Sequence, residues 1–367
     1  MSRRILVACY EPPGYGGAST ATYALYERLR AETSCAAYVS LVDGSLEPFL
    51  RERFGDAYGN PRALPDVHTH VLARRFHDPQ PRLAELVRTV APDVVLAVGY
   101  IAALVLKHAA PDTPLVFLTA GCDQIDAYLA RYGDATAVLD ALRTTERPML
   151  FHALEREAVE RADLVVAHAP LVHELLRRFY PTHAGKLYPD VVWMAEWIHG
   201  EAARHADLAR PFDERDVDLL FVASRWNRPE KNLPLVRAIV AGCPELRSHV
   251  AGLLDDPLGG AVAHGLVASR RELFALMGRA RVVVGPSAWD AAPGILFEAA
   301  ALGANVVTSP NSGNWPLCHP DLLVEPYTAD AFIDRARRAV RRPYASRVDA
   351  ILGARSYRTL VDILAVV

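Results

Sequence analysis

Apolar segments of strand length alternate with segments of helical spacing over the first half of the chain. Residues 19–31 and 149–161 carry apolar side chains at helical intervals, with Ser19 or Thr20 as the expected N-cap of the first helix. Buried strands that are separated by such helices predict parallel βαβ units. The strand-like apolar runs lie at residues 5–10, 36–42, 93–98, 115–118 and 164–167.

The same alternation begins again near residue 218. Ser269 and Glu272 have the spacing of a capping box at the start of one helix. Apolar runs at 219–223, 250–253, 281–284 and 305–309 alternate with helical patterns at 233–241, 269–277 and 294–302. The pattern predicts two doubly wound α/β domains. We expect the first at residues 1–200, the second at 201–345, and a C-terminal helix at 346–367 packed back on the first; the charged segment 200–215 marks the boundary.

Composition narrows the classes of function. The 367 residues are 51% hydrophobic, enough for two cores, and the net charge of −3 argues against a nucleic-acid binder. Five dispersed cysteines favour a reduced, cytoplasmic protein over a disulfide framework or a zinc site. No apolar run is long enough to span a bilayer, which leaves peripheral membrane association open.

The segment 289–310 is the most informative for function. Asp290 lies eight positions before Glu298, with a Pro293-Gly294 turn between them and an apolar helix after it. Carboxylates accept hydrogen bonds from vicinal hydroxyls, and the N–H groups of Gly294, Ile295 and Leu296 are free to meet a diphosphate or a sugar. The alternative makes Asp290 the N-cap and Glu298 a surface acid. Glu298 lies among apolar residues, where an acid without a partner is costly.

A second motif follows the first strand of the second domain. Arg225 and Lys231 lie six residues apart in a loop at the ligand-binding edge of the sheet, and lysine is rare in this chain, at positions 107, 186 and 231. Arginine supplies a planar fork for phosphate oxygens and lysine a compact charge. The alternative is a solvated loop in which Arg225 or Arg228 pairs with Glu230.

The first domain offers weaker candidates. Gly16 and Gly17 lie in a glycine-rich loop between the first strand and the first helix, where the backbone can approach an anion or simply make a tight turn. Asp123 and Asp126 follow the strand that ends at Leu118 and are candidates for the acceptor side. His68 and His70 have no suitably spaced third metal ligand, and G-x-S-x-G, the signature of a serine nucleophile, does not occur.

Together these residues resemble the retaining GT-B glycosyltransferases of family 4. The resemblance extends over most of the chain. It rests on the Gly16-Gly17 loop, on Arg225 and Lys231, and on Asp290 and Glu298 in place of the family's Glu-x7-Glu motif.

The resemblance implies two Rossmann-like domains around a cleft and a nucleoside-diphosphate sugar as co-substrate, with no other cofactor. By it, Arg225 and Lys231 hold the diphosphate and replace a metal ion, Glu298 binds the ribose, and Asp290 faces the donor sugar. The main chain at Gly294, Ile295 and Leu296 contacts sugar or phosphate. Gly16 and Gly17 lie against the diphosphate and a hydroxyl-bearing acceptor.

Two positions depart from the family pattern. Asp290 is one methylene shorter than the family's glutamate, and Ala120 stands where many members have a histidine that contacts the sugar. These departures keep a second hypothesis open, a GT-B-like protein that binds a nucleotide sugar or glycan without turnover. A dinucleotide-dependent oxidoreductase is disfavoured, because the G-x-G-x-x-G fingerprint is missing.

Overall fold

In a computed structural model, the apolar runs of the sequence form two separate parallel sheets. The structure describes residues 3–15, 17–73, 78–119, 121–133, 135–146, 148–188, 191, 193–267, 269–352 and 357–367. Both sheets are flanked by helices on their two faces, so the predicted α/β class with two doubly wound units is confirmed.

The first sheet has seven parallel strands in the order β3-β2-β1-β4-β5-β6-β7. Side chains alternate between its faces: Leu6 and Ala8 enter one core, whereas Ile5, Val7 and Cys9 enter the other. Burial on both faces explains why these strands read as continuous apolar runs. The strands are β1 Ile5–Tyr10, β2 Cys35–Val42, β3 Val67–Val71, β4 Val94–Val98, β5 Leu115–Leu118, β6 Leu164–Val166 and β7 Leu187–Tyr188.

Nine helices precede the second sheet in the described part of the chain. They are α1 Gly17–Glu32, α2 Glu47–Phe54, α3 Pro81–Val90, α4 Tyr100–Ala109, α5 Asp123–Tyr132, α6 Ala135–Thr144, α7 Ala153–Arg161, α8 Pro170–Phe179 and α9 Trp193–Ala203. The last of them, α9, packs on α1 and also reaches across to a helix of the second unit, α12.

The second sheet has five parallel strands in the order β10-β9-β8-β11-β12. They are β8 Val217–Arg225, β9 Ser248–Leu253, β10 Ala261–Ala263, β11 Ala280–Gly285 and β12 Asn305–Thr308. The accompanying helices are α10 Leu233–Gly242, α11 Arg270–Gly278, α12 Gly294–Ala301, α13 Ala329–Ala339 and α14 Val348–Leu352. The order reverses at β8, and the carboxyl end of this strand is the place where such sheets bind ligands.

The final helix, α15 Tyr357–Val366, packs into the core of the first sheet. The guanidinium of Arg28 on α1 lies 3.6 Å from the centre of the Tyr357 ring. The domain boundaries at residues 200 and 345 stay a prediction, because α9 contacts elements on both sides of the first of them.

Several local predictions are corrected. α1 begins at Gly17, so Ser19 and Thr20 lie inside it and neither is its N-cap; the Thr20 hydroxyl instead accepts the N–H of Gly14 at 2.9 Å. α7 begins at Ala153 rather than at residue 149, because the preceding N–H of Phe151 donates to the side chain of Gln124 at 2.7 Å. Ser269 is confirmed as the N-cap of α11, since its hydroxyl accepts the N–H of Glu272.

Candidate functional site

A cavity of about 240 Å³ opens beside the carboxyl ends of β8 and β11. Parallel α/β sheets bind ligands at this edge, where helices begin with unused N–H groups. The chemically important residues of its lining are Arg228, Lys231, Asp290, Gly294 and Ile295. The structure therefore brings together four of the residues that the sequence singles out and adds Arg228 to them.

Lys231 and Asp290 form an ion pair in the lining of this cavity. The Lys231 Nζ lies 2.5 Å from the Asp290 Oδ2, and both side chains are mostly buried. Lys231 ends a short 3₁₀ turn, Pro229–Lys231, which Asn232 stops with a φ of +53°. The main chain of Asp290 is held by the N–H of Gly313, which donates to its carbonyl at 2.8 Å. A lysine and its acid are thus fixed at the place where an anionic ligand would bind.

The two arginines beside Lys231 lie in different positions. Arg225 is the last residue of β8, its side chain is exposed, and it is not among the described residues that line the cavity. Arg228 does line it and pairs with Glu230, as the alternative reading of the loop expects. The assignment of Arg225 to the diphosphate stays a prediction, whereas Arg228 is the arginine that the structure places at the cavity.

The first turn of α12 offers two of the three expected main-chain groups. Gly294 and Ile295 line the cavity, and α12 has no side-chain cap. Leu296 is buried and its N–H donates to the Pro293 carbonyl at 3.2 Å, so the expectation of a free N–H there is wrong. Pro293 occupies the N-cap position, which also rules out Asp290 as the cap.

Glu298 lies one turn further along α12 and is only 5% exposed, so it is not a surface acid. The free-energy cost of burying the Glu298 carboxylate in an apolar helix face is offset by Arg270. The Arg270 Nη2 lies 2.8 Å from the Glu298 Oε1. Burial raises the pKa of Glu298, and Arg270 opposes that rise. The second carboxylate oxygen, Oε2, is buried without a hydrogen-bond partner among the described residues.

In the first domain, Asp123 and Asp126 lie in the first turn of α5. The buried carboxylate of Glu155 accepts the N–H groups of Asp123 and Gln124 at 2.7 and 3.1 Å and so caps this helix. Partial desolvation is the largest cause that raises the pKa of Asp123, and it raises the pKa of the exposed Asp126 to about 6. The charges of Asp123, Glu230 and Asp290 add to the rise in the pKa of Asp126, and the charge of Arg228 opposes it, so Asp126 interacts electrostatically with residues that line the cavity or lie beside it.

The two units touch beside Asp290. A Cβ atom on Gly313 would lie 1.7 Å from the Ala291 carbonyl oxygen and 2.8 Å from the Ala169 Cβ, so only glycine fits between them. Nearby, the Arg143 Nη2 donates to the Asn311 Oδ1 at 2.9 Å. These contacts bring the acids of α5 and the cavity to the same cleft.

The described residues include only part of the Gly16-Gly17 loop and do not include Ala120, the second departure from the family pattern. Gly17 is the first residue of α1, at the carboxyl edge of the first sheet. Gly16 and Ala120 lie outside the described residues.

The sequence of the second unit matches a known family. Residues 212–342 match the model of the family described as "Glycosyl transferases group 1". The second unit of the chain is a glycosyltransferase domain of group 1. The matched segment runs from before β8 to the end of α13, and it includes Lys231, Asp290 and Glu298.

Solved structures with the GT-B fold resemble this glycosyltransferase over its whole length. Sucrose-phosphate synthase from Thermosynechococcus elongatus is 15% identical, with a TM-score of 0.64 over 99% of this chain and 97% of that one. Anabaena HepE in complex with UDP and glucose is 14% identical, with a TM-score of 0.62 over 100% of both chains. At these identities the likeness establishes the fold. A comparison with curated protein sequences finds no match.

One residue of the glycosyltransferase that sequence reasoning missed is His168. β5 and β6 pair with Leu118 opposite Val166, and His168 lies two residues beyond that pair, beside Thr119. Its Nδ1 lies 3.5 Å from the Thr119 hydroxyl, burial lowers its pKa to about 4, and the charge of Asp290 opposes that shift. The sequence feature that could have identified His168 is its position just beyond β6, at the ligand-binding edge of the sheet.

Two further features of the glycosyltransferase concern metals and membranes. Among the described residues, no three histidine, cysteine, aspartate or glutamate side chains are grouped so that they could hold a metal ion. No helix in the described part of the chain combines the length and the apolar character needed to cross a membrane.

Proposed function

We propose that this enzyme transfers a sugar from a nucleoside-diphosphate sugar to a hydroxyl-bearing acceptor, with retention of configuration and without a metal ion. The observation that carries the proposal is the Lys231–Asp290 pair in a cavity that also includes the first residues of α12. HepE, a protein of the same fold, has been solved in complex with UDP-glucose.

Positive groups converge on the place proposed for the diphosphate. The Lys231 ammonium, the Arg228 guanidinium and the N-terminal turn of α12 all line one cavity. Such groups stabilise negative charge that develops on a leaving diphosphate, because they are already oriented before the reaction. In this proposal they take the part of a metal ion, and Arg225 adds its charge from the exposed end of β8.

The remaining parts of the donor are assigned along the same helix and loop. Glu298 accepts hydrogen bonds from the ribose, and Asp290 faces the donor sugar. Gly17, with Gly16 before it, lies against the diphosphate and the acceptor. The acceptor enters from the first domain, where Asp123 and Asp126 face the cleft.

In the proposed reaction, the bond between the anomeric carbon and the diphosphate oxygen breaks as the acceptor oxygen adds on the same face. The proton of the acceptor hydroxyl passes to the departing phosphate oxygen. The diphosphate therefore serves as both leaving group and base, which makes its charge stabilisation the main task of the protein.

A screen of nucleotide sugars tests the proposal. The purified enzyme should release diphosphate from at least one UDP-, GDP-, ADP- or dTDP-sugar, and the corresponding diphosphate should bind in calorimetric titration. Release should persist in EDTA, and NMR of the product should show the donor's anomeric configuration. Failure of all four diphosphates to bind would refute the donor class. Loss of activity in EDTA would refute metal independence, and inversion would refute retention.

The pH dependence of the reaction tests Asp126 on the acceptor side. The pKa of Asp126 is raised from 3.8 to about 6, chiefly by partial desolvation, although the residue remains exposed to solvent. Ionisation therefore costs the folded protein stability as the pH rises through this range. If the ionised carboxylate accepts the acceptor's hydrogen bond, kcat/KM should fall as the pH falls through about 6.

The variant Asp126→Asn should abolish this acidic limb in a pH–rate profile measured with donor and acceptor. Asp112→Asn is the matched control, because Asp112 is exposed and precedes β5 at the opposite edge of the sheet. A limb near pH 6 that persists unchanged in Asp126→Asn would contradict the assignment.

A further inference from the structure

Arg270, the first residue of α11, contacts two carboxylates from two other helices. Its Nε lies 3.0 Å from the Glu201 Oε1 on α9, and its Nη2 lies 2.8 Å from the Glu298 Oε1 on α12. Glu201 precedes the segment that matches the family, and Glu298 lies inside it. A side chain outside that segment is thereby held beside the acid proposed to bind the ribose.

The arrangement leaves two carboxylate oxygens unused. The Nε and Nη2 groups form the edge of a guanidinium that ordinarily binds both oxygens of one carboxylate. Here the edge is shared, and Oε2 of Glu201 and Oε2 of Glu298 are both buried without a hydrogen-bond partner among the described residues. Buried charged oxygens without donors are costly, so a ligand with two adjacent hydroxyls would be favoured there.

We propose that Glu201 and Glu298, both fixed by Arg270, form a diol clamp in which each unused oxygen accepts a hydrogen bond from one hydroxyl of the donor's ribose. This inference rests on the proposed function, in which Glu298 alone is assigned to the ribose. It adds α9 to the donor site and makes Arg270 a positioning residue.

The diol clamp lies between two cavities. Glu298 is one helical turn beyond Gly294, which lines the cavity of Lys231. Glu201 lines a second cavity of about 480 Å³, together with Trp197 and Arg204. α9 lies directly on α12, since a Cβ on Gly294 would be 3.1 Å from the Ile198 side chain. A donor whose diphosphate occupies the first cavity would reach the clamp by extending along α12.

The experiment compares UDP, ADP and GDP with their 2′-deoxy and 3′-deoxy forms by calorimetric titration. The wild type should bind the ribonucleotide about tenfold more tightly than either deoxy form, as one hydrogen bond to a charged group predicts. Glu201→Ala should lose the preference at one of the two hydroxyls and keep its affinity for that deoxy form. A merely structural role of Glu201 would weaken all three forms equally.

Two further variants complete the test. Glu201→Gln keeps the side-chain volume and should lose only part of the preference. Glu196→Ala is the matched control on the same helix, where Glu196 pairs with Arg28 at 2.7 Å, and it should behave as wild type. A ribose preference that survives Glu201→Ala at both hydroxyls would overturn the diol clamp alone. Failure of the wild type to bind UDP, ADP, GDP and also dTDP would overturn the proposed function and the clamp with it, whereas binding of dTDP alone would overturn only the clamp.

Discussion

Replacement of Lys231 by alanine should lower kcat by roughly a hundredfold or more, the loss typical when one group that stabilises developing charge is removed. Lys231 lines the cavity with a mostly buried ammonium that the Asp290 carboxylate holds in place. The variant removes the positive charge and leaves Asp290 without its partner, so the departing diphosphate would face an acid alone. Steady-state kinetics with the donor found in the screen measure the effect.

A double variant separates these two causes. In Lys231→Ala/Asp290→Asn the unpaired acid is neutral, so the affinity for the diphosphate should recover in part while kcat stays low. Lys107→Ala is the matched control, because Lys107 pairs with Asp163 in the first domain at 3.2 Å and should leave kcat unchanged. Equal kcat values for the wild type and Lys231→Ala would refute the role of Lys231.

Much of the site could be predicted because parallel sheets bring distant segments to one edge. Lys231 follows β8, Asp290 follows β11, and these neighbouring strands end side by side. Strand-and-helix alternation in the sequence therefore implied that these two residues are close. The ion pair itself was not predicted, because it depends on the 3₁₀ turn that directs Lys231 toward Asp290.

The arginine at the cavity could not be chosen from spacing. Arg225 still belongs to β8, where side chains alternate in direction, and Arg228 lies in the turn that follows. The sequence pattern placed the end of the strand at residue 223, two residues early. An error of that size decides which of two nearby arginines faces a ligand.

The sequence predicted that Glu298 has a partner but did not show which residue it is. An acid in an apolar helical face must have a partner, yet Arg270 is distant in sequence and is brought close only by the packing of α11 on α12. The position of Glu201 beside Glu298 could not be predicted from the sequence for the same reason. It lies in a segment that the sequence marks as a boundary, whereas the structure shows α9 packed on α12.

Stability of the second domain should depend strongly on one buried arginine. Arg215 is 4% exposed, and its guanidinium donates to three main-chain carbonyls, those of Arg210, Ala280 and Leu302, at 3.0, 2.6 and 2.8 Å. Ala280 begins β11 and Leu302 is the C-cap of α12. Arg215 thus joins the end of the helix that carries Glu298 to the sheet beneath it.

The variant Arg215→Ala should destabilise the second domain by about 4 kcal/mol, since each buried carbonyl left without a donor costs roughly 1–3 kcal/mol. Calorimetry should show its unfolding transition on the order of 10 °C lower. Arg271→Ala is the control, because Arg271 and its partner Asp207 are both 64% exposed and an exposed pair contributes at most about 1 kcal/mol. Below the transition, Arg215→Ala should retain diphosphate affinity, since Arg215 does not touch the cavity. An unchanged melting temperature would show that solvent replaces the three hydrogen bonds and that the end of α12 needs no cation.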